Sequence, residues 1–233
     1  MAKNYTLTWD PAAAQTFSTT FALTESPISE SGAWRTNLCP FFKDCQTAGG
    51  RVYGNQPQVG IVSPVALFED SYAHLAGSWP ANQRAEGIID KRTTGGFQEF
   101  EIHLLGSDAS DRVKCYEIFV HQNGDYFTLA MWKGTALTSA ATASYFDIMA
   151  DAGVITAPAD GDTLWGQIVG NQLTAGFIRV GGTVQTLINF DVTSGGRTRI
   201  ASGTPGIGFD AGGSGAETAT TNYGFKSFFA SGL

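Results

Sequence analysis

Glu99, Glu101 and His103 alternate with Phe100, Ile102 and Leu104 in the stretch "FQEFEIHLL". Successive side chains of a β-strand point to opposite faces, so this spacing gathers the three titratable groups on one face and the three apolar groups on the other. Neighbouring carboxylates are what cleavage of a glycosidic bond requires, because one protonates the departing oxygen while the other attacks or activates water. Alternating carboxylates, however, sit too close together for an inverting pair. The plainer reading is a solvated sheet face holding an internal ion pair.

A second stretch brings more such groups within reach. In "CYEIFVHQNGDYFTLAMWKG" the dipeptide Asn123-Gly124 marks a tight hairpin turn. With Phe127, Leu129 and Met131 turned inward, Tyr126, Thr128 and Trp132 share the outer face, and Glu117 and His121 are similarly paired on the preceding strand. The expected patch is therefore Glu99, Glu101, His103, Glu117, His121, Tyr126 and Trp132. Trp132 either offers a flat ring to a ligand or covers a sheet edge.

Other chemistry finds less support. No G-x-S-x-G motif occurs, and none of the 3 cysteines has a recognisable catalytic partner. Cys39 and Cys45 flank "LCPFFKDC", where a local disulfide and two free thiols are both open, while Cys115 reads as a buried strand thiol. The cysteine spacing suits no zinc site.

The elements that must position these groups are strands. "DTLWGQIVGNQLTAGFIRVGGTVQTLINF" reads as two or three strands turning at Gly170/Asn171 and Gly181/Gly182. Ile207 and Phe209 on one side of a polar loop, and Phe225, Phe228 and Phe229 on the other, read as a closing pair of strands whose last member completes a sheet begun far upstream. "ATASYFDIMADAG" is the one expected helix, a short helical or irregular insertion. Tyr72, Ala73 and Leu75 begin a buried strand, Asp70 and Ser71 make local turn bonds, and Trp34, Trp79 and Trp165 belong to the core. Short strands at turn-marked spacing predict an all-β antiparallel sandwich. The expected division is an N-terminal strand or docking segment over 1–20 and one sandwich domain over 21–233.

Composition narrows the partners. The chain has 233 residues, 42% hydrophobic and 15% charged, with 29 glycines and a net charge of −7. Phosphate contacts need clustered Lys and Arg, so nucleic acid is not an expected partner. No apolar run approaches the roughly 18 residues of a membrane span, and "MAKNYTLTWDPAAAQTF" lacks a secretory h-region.

The order of "SPISESGAW", "QTAGGRVYG", "EDSYAHLAGSWPANQRAEGII", "EFEIHLL", "CYEIFV", "DGDTLWGQIVGNQLTAGFI" and "GTPGIGFD…YGFKSFFASGL" resembles the concanavalin A-like lectin/glucanase superfamily, in particular its laminin-G-like jelly-roll modules. The resemblance runs from about Phe21 to the C-terminus and implies an antiparallel jelly-roll β-sandwich. The family's glucanases carry E-x-D-x-E where this chain has E-x-E-x-H, and the alginate-lyase patterns are each broken in "RAEGI", "EIH" and "YFT". The resemblance thus implies a non-enzymatic module that binds glycans, with Trp132 as a sugar-stacking platform. It also implies calcium beside Asp108 and Asp111 in the loop "GSDASDR", although two carboxylates fall short of a cage of six to eight oxygens. The longer Lys133–Asp160 segment and the loop "DAGGSGAETATTN" depart from the family pattern and read as private contact surfaces. A start at Met1 without an export signal suits a bacteriophage virion surface protein (a decoration, head-fibre or tail-associated module) or another extracellular setting, with glycans, further copies or other virion proteins as partners. The alternatives are a purely structural assembly protein and a glycoside hydrolase or polysaccharide lyase of the same fold.

Overall fold

The computed structural model describes residues 15–36, 39, 42–55, 70–93, 96–109, 112–137, 145–210 and 222–233. Sixteen strands run in chain order: β1 (Thr16–Thr19), β2 (Trp34–Arg35), β3 (Lys43–Asp44), β4 (Gln46–Thr47), β5 (Val52–Tyr53), β6 (Asp70–Leu75), β7 (Gln83–Lys91) and β8 (Glu99–Ala109), then β9 (Arg112–His121), β10 (Phe127–Lys133), β11 (Phe146–Asp151), β12 (Thr163–Val169), β13 (Gln172–Ile178), β14 (Val184–Asp191), β15 (Thr204–Asp210) and β16 (Tyr223–Gly232). They form two eight-stranded sheets. The first has the order β14-β13-β12-β7-β16-β5-β4 with β1 added on β16; the second has the order β11-β10-β9-β8-β15-β6-β2 with β3 added on β6.

Alternation along the strands builds the core between the sheets. Phe100, Ile102, Leu104, Ile118, Phe127, Leu129, Ile207 and Phe209 from the second sheet meet Ile89, Leu164, Ile168, Phe177, Phe225 and Phe228 from the first, all of them buried. The two layers interlock through ring contacts such as Phe127 against Phe177 at 5.4 Å and Phe209 against Phe225 at 5.2 Å. Edge-to-face and tilted pairs of this kind add to the area each ring removes from water.

The expected hairpins at Asn123-Gly124, Gly170/Asn171 and Gly181/Gly182 connect β9 to β10, β12 to β13 and β13 to β14. Four expectations are corrected. The segment read as a helix contains β11, whose backbone pairs antiparallel with β10; among the described residues there is no α-helix, only the 3₁₀ turn Ser194–Gly196. Aromatic and β-flanking neighbours offered this stretch a sheet edge to join, and tertiary pairing overrode weak helical periodicity. The closing strands are also not a pair: β15 lies between β8 and β6 in the second sheet, and β16 lies beside β7 in the first, so they face one another across the core. Phe229 accordingly points outward, 38% exposed, while Phe225 and Phe228 are buried. β1 pairs with β16 from Thr16↔Ser231 to Thr19↔Phe228, which joins the N-terminal segment to the last strand. Asp70 and Ser71 lie within β6, not in a turn, and the Ser71 hydroxyl accepts the Asn55 amide. Of the three tryptophans assigned to the core, Trp34 is in it and Trp79 packs against it, whereas Trp165 is buried on the first sheet's outer face beneath the Arg84 guanidinium, 4.7 Å from its ring.

Candidate binding face on the second sheet

The outer face of the second sheet collects the titratable groups. Register pairs Glu99 with His121, Glu101 with Phe119 and His103 with Glu117 across β8 and β9. On the other side of β8, β15 contributes Gly206 opposite both His103 and His74, and Gly208 opposite both Glu101 and Tyr72. These glycines make room: a Cβ at Gly206 would come within 2.2 Å of the His74 ring, and one at Gly208 within 1.9 Å of Glu101 Oε2. Side chains from β6 and β8 therefore meet above β15.

Their meeting forms a buried chain of hydrogen bonds. His74 Nδ1 lies 2.7 Å from Asp108 Oδ2, His74 Nε2 lies 3.0 Å from His103 Nδ1, and His103 Nε2 lies 3.1 Å from Glu101 Oε2. Arg35 reaches Asp108 Oδ2 at 3.4 Å from the partly exposed end. The Trp132 indole N–H donates to Glu117 Oε2 at 2.8 Å, and Glu117 Oε1 stands 3.6 Å from His103 Nε2. An ionised Asp108 accepts from His74 Nδ1–H, which leaves His74 Nε2 to accept from His103 Nδ1–H. A single proton then remains to be shared between His103 Nε2 and Glu101. Burial holds the His74 imidazole below its usual range in spite of Asp108. Asp108 is held below the usual carboxylate range: burial works against this, and His74 and Arg35 outweigh it. Burial, followed by Glu117 and Asp70, pushes the Glu101 carboxyl well above that range.

The far end of this face is more open. Tyr126 donates its hydroxyl to Glu99, whose carboxyl is raised well above its ordinary range by burial and by Asp210. The rings of Phe97, His121 and Tyr126 stack in sequence, with centroids 4.7 Å and 5.6 Å apart. Phe119 meets Tyr126 edge-on at 5.7 Å. Phe97, Phe119 and Tyr126 are half-buried. Asp125 Oδ2 lies 2.8 Å from His121 Nδ1, and His121 Nε2 is buried without a partner.

The expected patch is thus one face, with Glu99, Glu101, His103, Glu117, His121 and Tyr126 brought together. Trp132 is the exception in kind. It is 4% exposed, packed against Phe42 at 5.5 Å and Phe146 at 5.1 Å, within a second apolar cluster that includes Cys39, Tyr72, Val113, Cys115, Leu137 and Tyr145. A ring covered on this scale offers no face to a sugar, so the stacking-platform expectation is corrected: Trp132 packs, and orients Glu117. Phe97 and Phe119 were missed by sequence reasoning. Strand alternation between Glu117 and His121 places Phe119 on the outer face, and that signal was available.

Asp108 was expected on a loop, and it lies on β8 with its side chain buried and bonded to His74. The register shift between Leu104 and Ser107 switches the parity of β8 and turns Asp108 to the same face as His103. Its Oδ2 is committed to His74, which removes it from an open calcium loop; Asp111 lies outside the described residues, as do 1–14 of the docking segment and 211–221 of the final loop. The disulfide alternative is also corrected. Cys39, Cys45 and Cys115 are buried and none of them is joined in a disulfide. Cys45 faces the main core and Cys39 the second cluster, so they belong to different packing units.

No protein-family model and no curated protein sequence matches the chain. Solved structures do. The carbohydrate-binding module CBM66 from Bacillus subtilis aligns with a TM-score of 0.51 at 10% identity, covering 86% of this chain and 92% of that one. The CBM2 module of the Lactobacillus casei BL23 phage J-1 evolved Dit gives 0.55 at 12% identity, covering 94% and 96%. The laminarinase from Rhodothermus marinus gives 0.53 at 11% identity, covering 94% and 98%. Binding modules and a hydrolase thus share one architecture with this chain, and two antiparallel sheets in this arrangement make it a concanavalin A-like jelly-roll β-sandwich.

Proposed function

We propose that the chain is a non-enzymatic glycan-binding module that engages saccharide at the open end of the second sheet's outer face. The observation that carries this reading is the row of partly exposed rings Phe119, Tyr126 and Phe97 beside the exposed Asp125 carboxylate. Aromatic faces take the C–H surface of a sugar ring, and a few fixed polar groups orient its hydroxyls. The likeness to carbohydrate-binding modules supports the reading at the level of fold. Catalysis is disfavoured by the carboxylates themselves: Glu101 is 1% exposed and Glu117 8%, with one oxygen of each held by a neighbouring side chain, so neither faces a substrate. Display on a bacteriophage virion is the finer part of the proposal, and the likeness to a module of a phage Dit protein supports it.

A glycan-array screen followed by calorimetry on the best saccharide tests the site. Tyr126→Phe and Phe119→Ala are expected to weaken binding about tenfold or more, about 1.4 kcal/mol, with both variants still folded and Tyr126→Phe melting somewhat lower because Glu99 loses its hydroxyl donor. Binding unchanged in both variants would overturn the assigned face. Release of reducing ends by the wild-type protein, lost in Glu101→Gln, would replace a binding module with an enzyme. Silence on the array together with a defined oligomer by light scattering would point to assembly.

A further inference from the structure

Glu101, His103 and Glu117 each present one ligand atom, and these atoms lie within 4.8 Å of one another. His103 Nε2 stands 3.1 Å from Glu101 Oε2 and 3.6 Å from Glu117 Oε1. Atoms bonded to zinc at about 2.0–2.2 Å in a tetrahedron lie about 3.3–3.6 Å apart, so the Glu117 edge already has that length and the Glu101 edge needs only a small opening. We infer that this triad is a binding site for a divalent transition metal of the zinc class, built into the second sheet independently of the proposed glycan site.

A further observation points to a ligand. Glu101 Oε1 is buried and has no hydrogen-bond partner, a state costly enough in a folded protein to need an explanation. A metal held by both Glu101 oxygens, or a water bound to the metal, satisfies it. Gly208 gives the triad its room, since a Cβ there would come within 1.9 Å of Glu101 Oε2 and 3.0 Å of His103 Nε2.

The surroundings are those a metal ligand needs. Metal-bound histidines donate their other ring N–H to an acceptor that fixes tautomer and orientation. Here His103 Nδ1 faces His74 Nε2, and Asp108 holds His74 from behind, so His103 Nε2 is turned toward the carboxylates, and a metal binding there displaces the proton shared with Glu101. Trp132 binds Glu117 Oε2 and leaves Oε1 turned toward His103. An imidazole between two carboxylates favours zinc-class ions; calcium takes oxygen ligands and more of them. His74, His103 and Cys115 form a second possible grouping, but binding there would need the His103 nitrogen already committed to His74.

The test uses chelator-treated, dialysed wild-type protein with no saccharide present. Calorimetry with zinc is expected to show one equivalent bound, and millimolar calcium should not compete. Cobalt substitution is expected to give visible d–d bands without a thiolate charge-transfer band. Glu117→Gln is expected to weaken zinc at least tenfold, and His74→Asn, a positioning change, about 10–100-fold. No zinc binding at millimolar concentration, equal competition by calcium, or a thiolate band that places the metal on Cys115 would each overturn the assignment. Should either variant fail to fold, the cobalt spectrum of the wild-type protein still decides between the two ligand sets.

Discussion

Arg84 and Glu86 on β7 and Glu101 and His103 on β8 are pairs with the same spacing, two residues apart on the outer face of a sheet. The side chains of the first pair are each 23% exposed, whereas those of the second are 1% and 4% exposed. On the first sheet Arg84 lies over the Trp165 ring and reaches Gln167, with water on the remaining side. On the second, Gly206 of β15 lets His74 close over the strand, Gly208 makes room for Glu101, and the aromatic cluster around Trp132 walls one end. Strand alternation thus puts charge outside in both cases, and only the neighbouring strands decide whether outside means solvent. The exposed pair contributes modestly to stability; the buried chain must satisfy every donor and acceptor or destabilise the fold.

The largest effect should come from removing the wall. Trp132→Ala empties the centre of the second cluster and leaves Glu117 Oε2 without its indole donor. Denaturant unfolding is expected to show a loss of about 3–5 kcal/mol. A loss under about 1 kcal/mol would mean that this face is no drier than its counterpart. Gly208→Ala is a narrower probe, because the added methyl collides with the Glu101 carboxylate end and His103. The expected cost is about 1–3 kcal/mol, together with loss of zinc affinity in calorimetry. Were both quantities unchanged, Gly208 would not be what gives the Glu101 and His103 ends their room. On the opposite sheet Arg84→Ala removes an ion pair and the stem that covers Trp165. About 1 kcal/mol is expected from the lost cover and cation–π contact; Arg84→Lys should retain part of it.

Much of this contrast was legible in the sequence, and its limits have physical causes. The alternation in "FQEFEIHLL" placed Phe100, Ile102 and Leu104 in the core and Glu99, Glu101 and His103 opposite, as found. The same period placed Glu117, His121 and Tyr126 beside them. What alternation does not carry is what lies above a face. His74 reaches His103 only because the intervening strand has glycine at 206, a contact between residues 29 apart that no local pattern encodes. Asp108 was hidden for a related reason, since the register shift after Leu104 reverses the parity by which its face would be read. Trp132 was assigned to the correct face, but the Phe42 ring that covers it comes from a segment some ninety residues earlier.

The smallest expected effect lies at Lys226 and Asp160, where the first sheet's outer face shows what an exposed pair is worth. Lys226 Nζ lies 2.7 Å from Asp160, with side chains 41% and 52% exposed. The little burial at Asp160 works to raise its carboxyl; the Lys226 hydrogen bond and the Lys91 amide together outweigh it and hold the group below its ordinary range. A depressed carboxylate makes a contribution that is present above the unfolded value of about 3.9 and is lost as pH falls through the folded one. Lys226→Met should therefore cost less than about 1 kcal/mol at pH 7, after screening by solvent, and the gap to wild type should close as the pH falls below about 4. Salt should shrink it at neutral pH as well. A difference that persisted in acid and in high salt would assign the effect to packing of the lysine stem, and the exposed face would then share with the buried one a dependence on shape more than on charge.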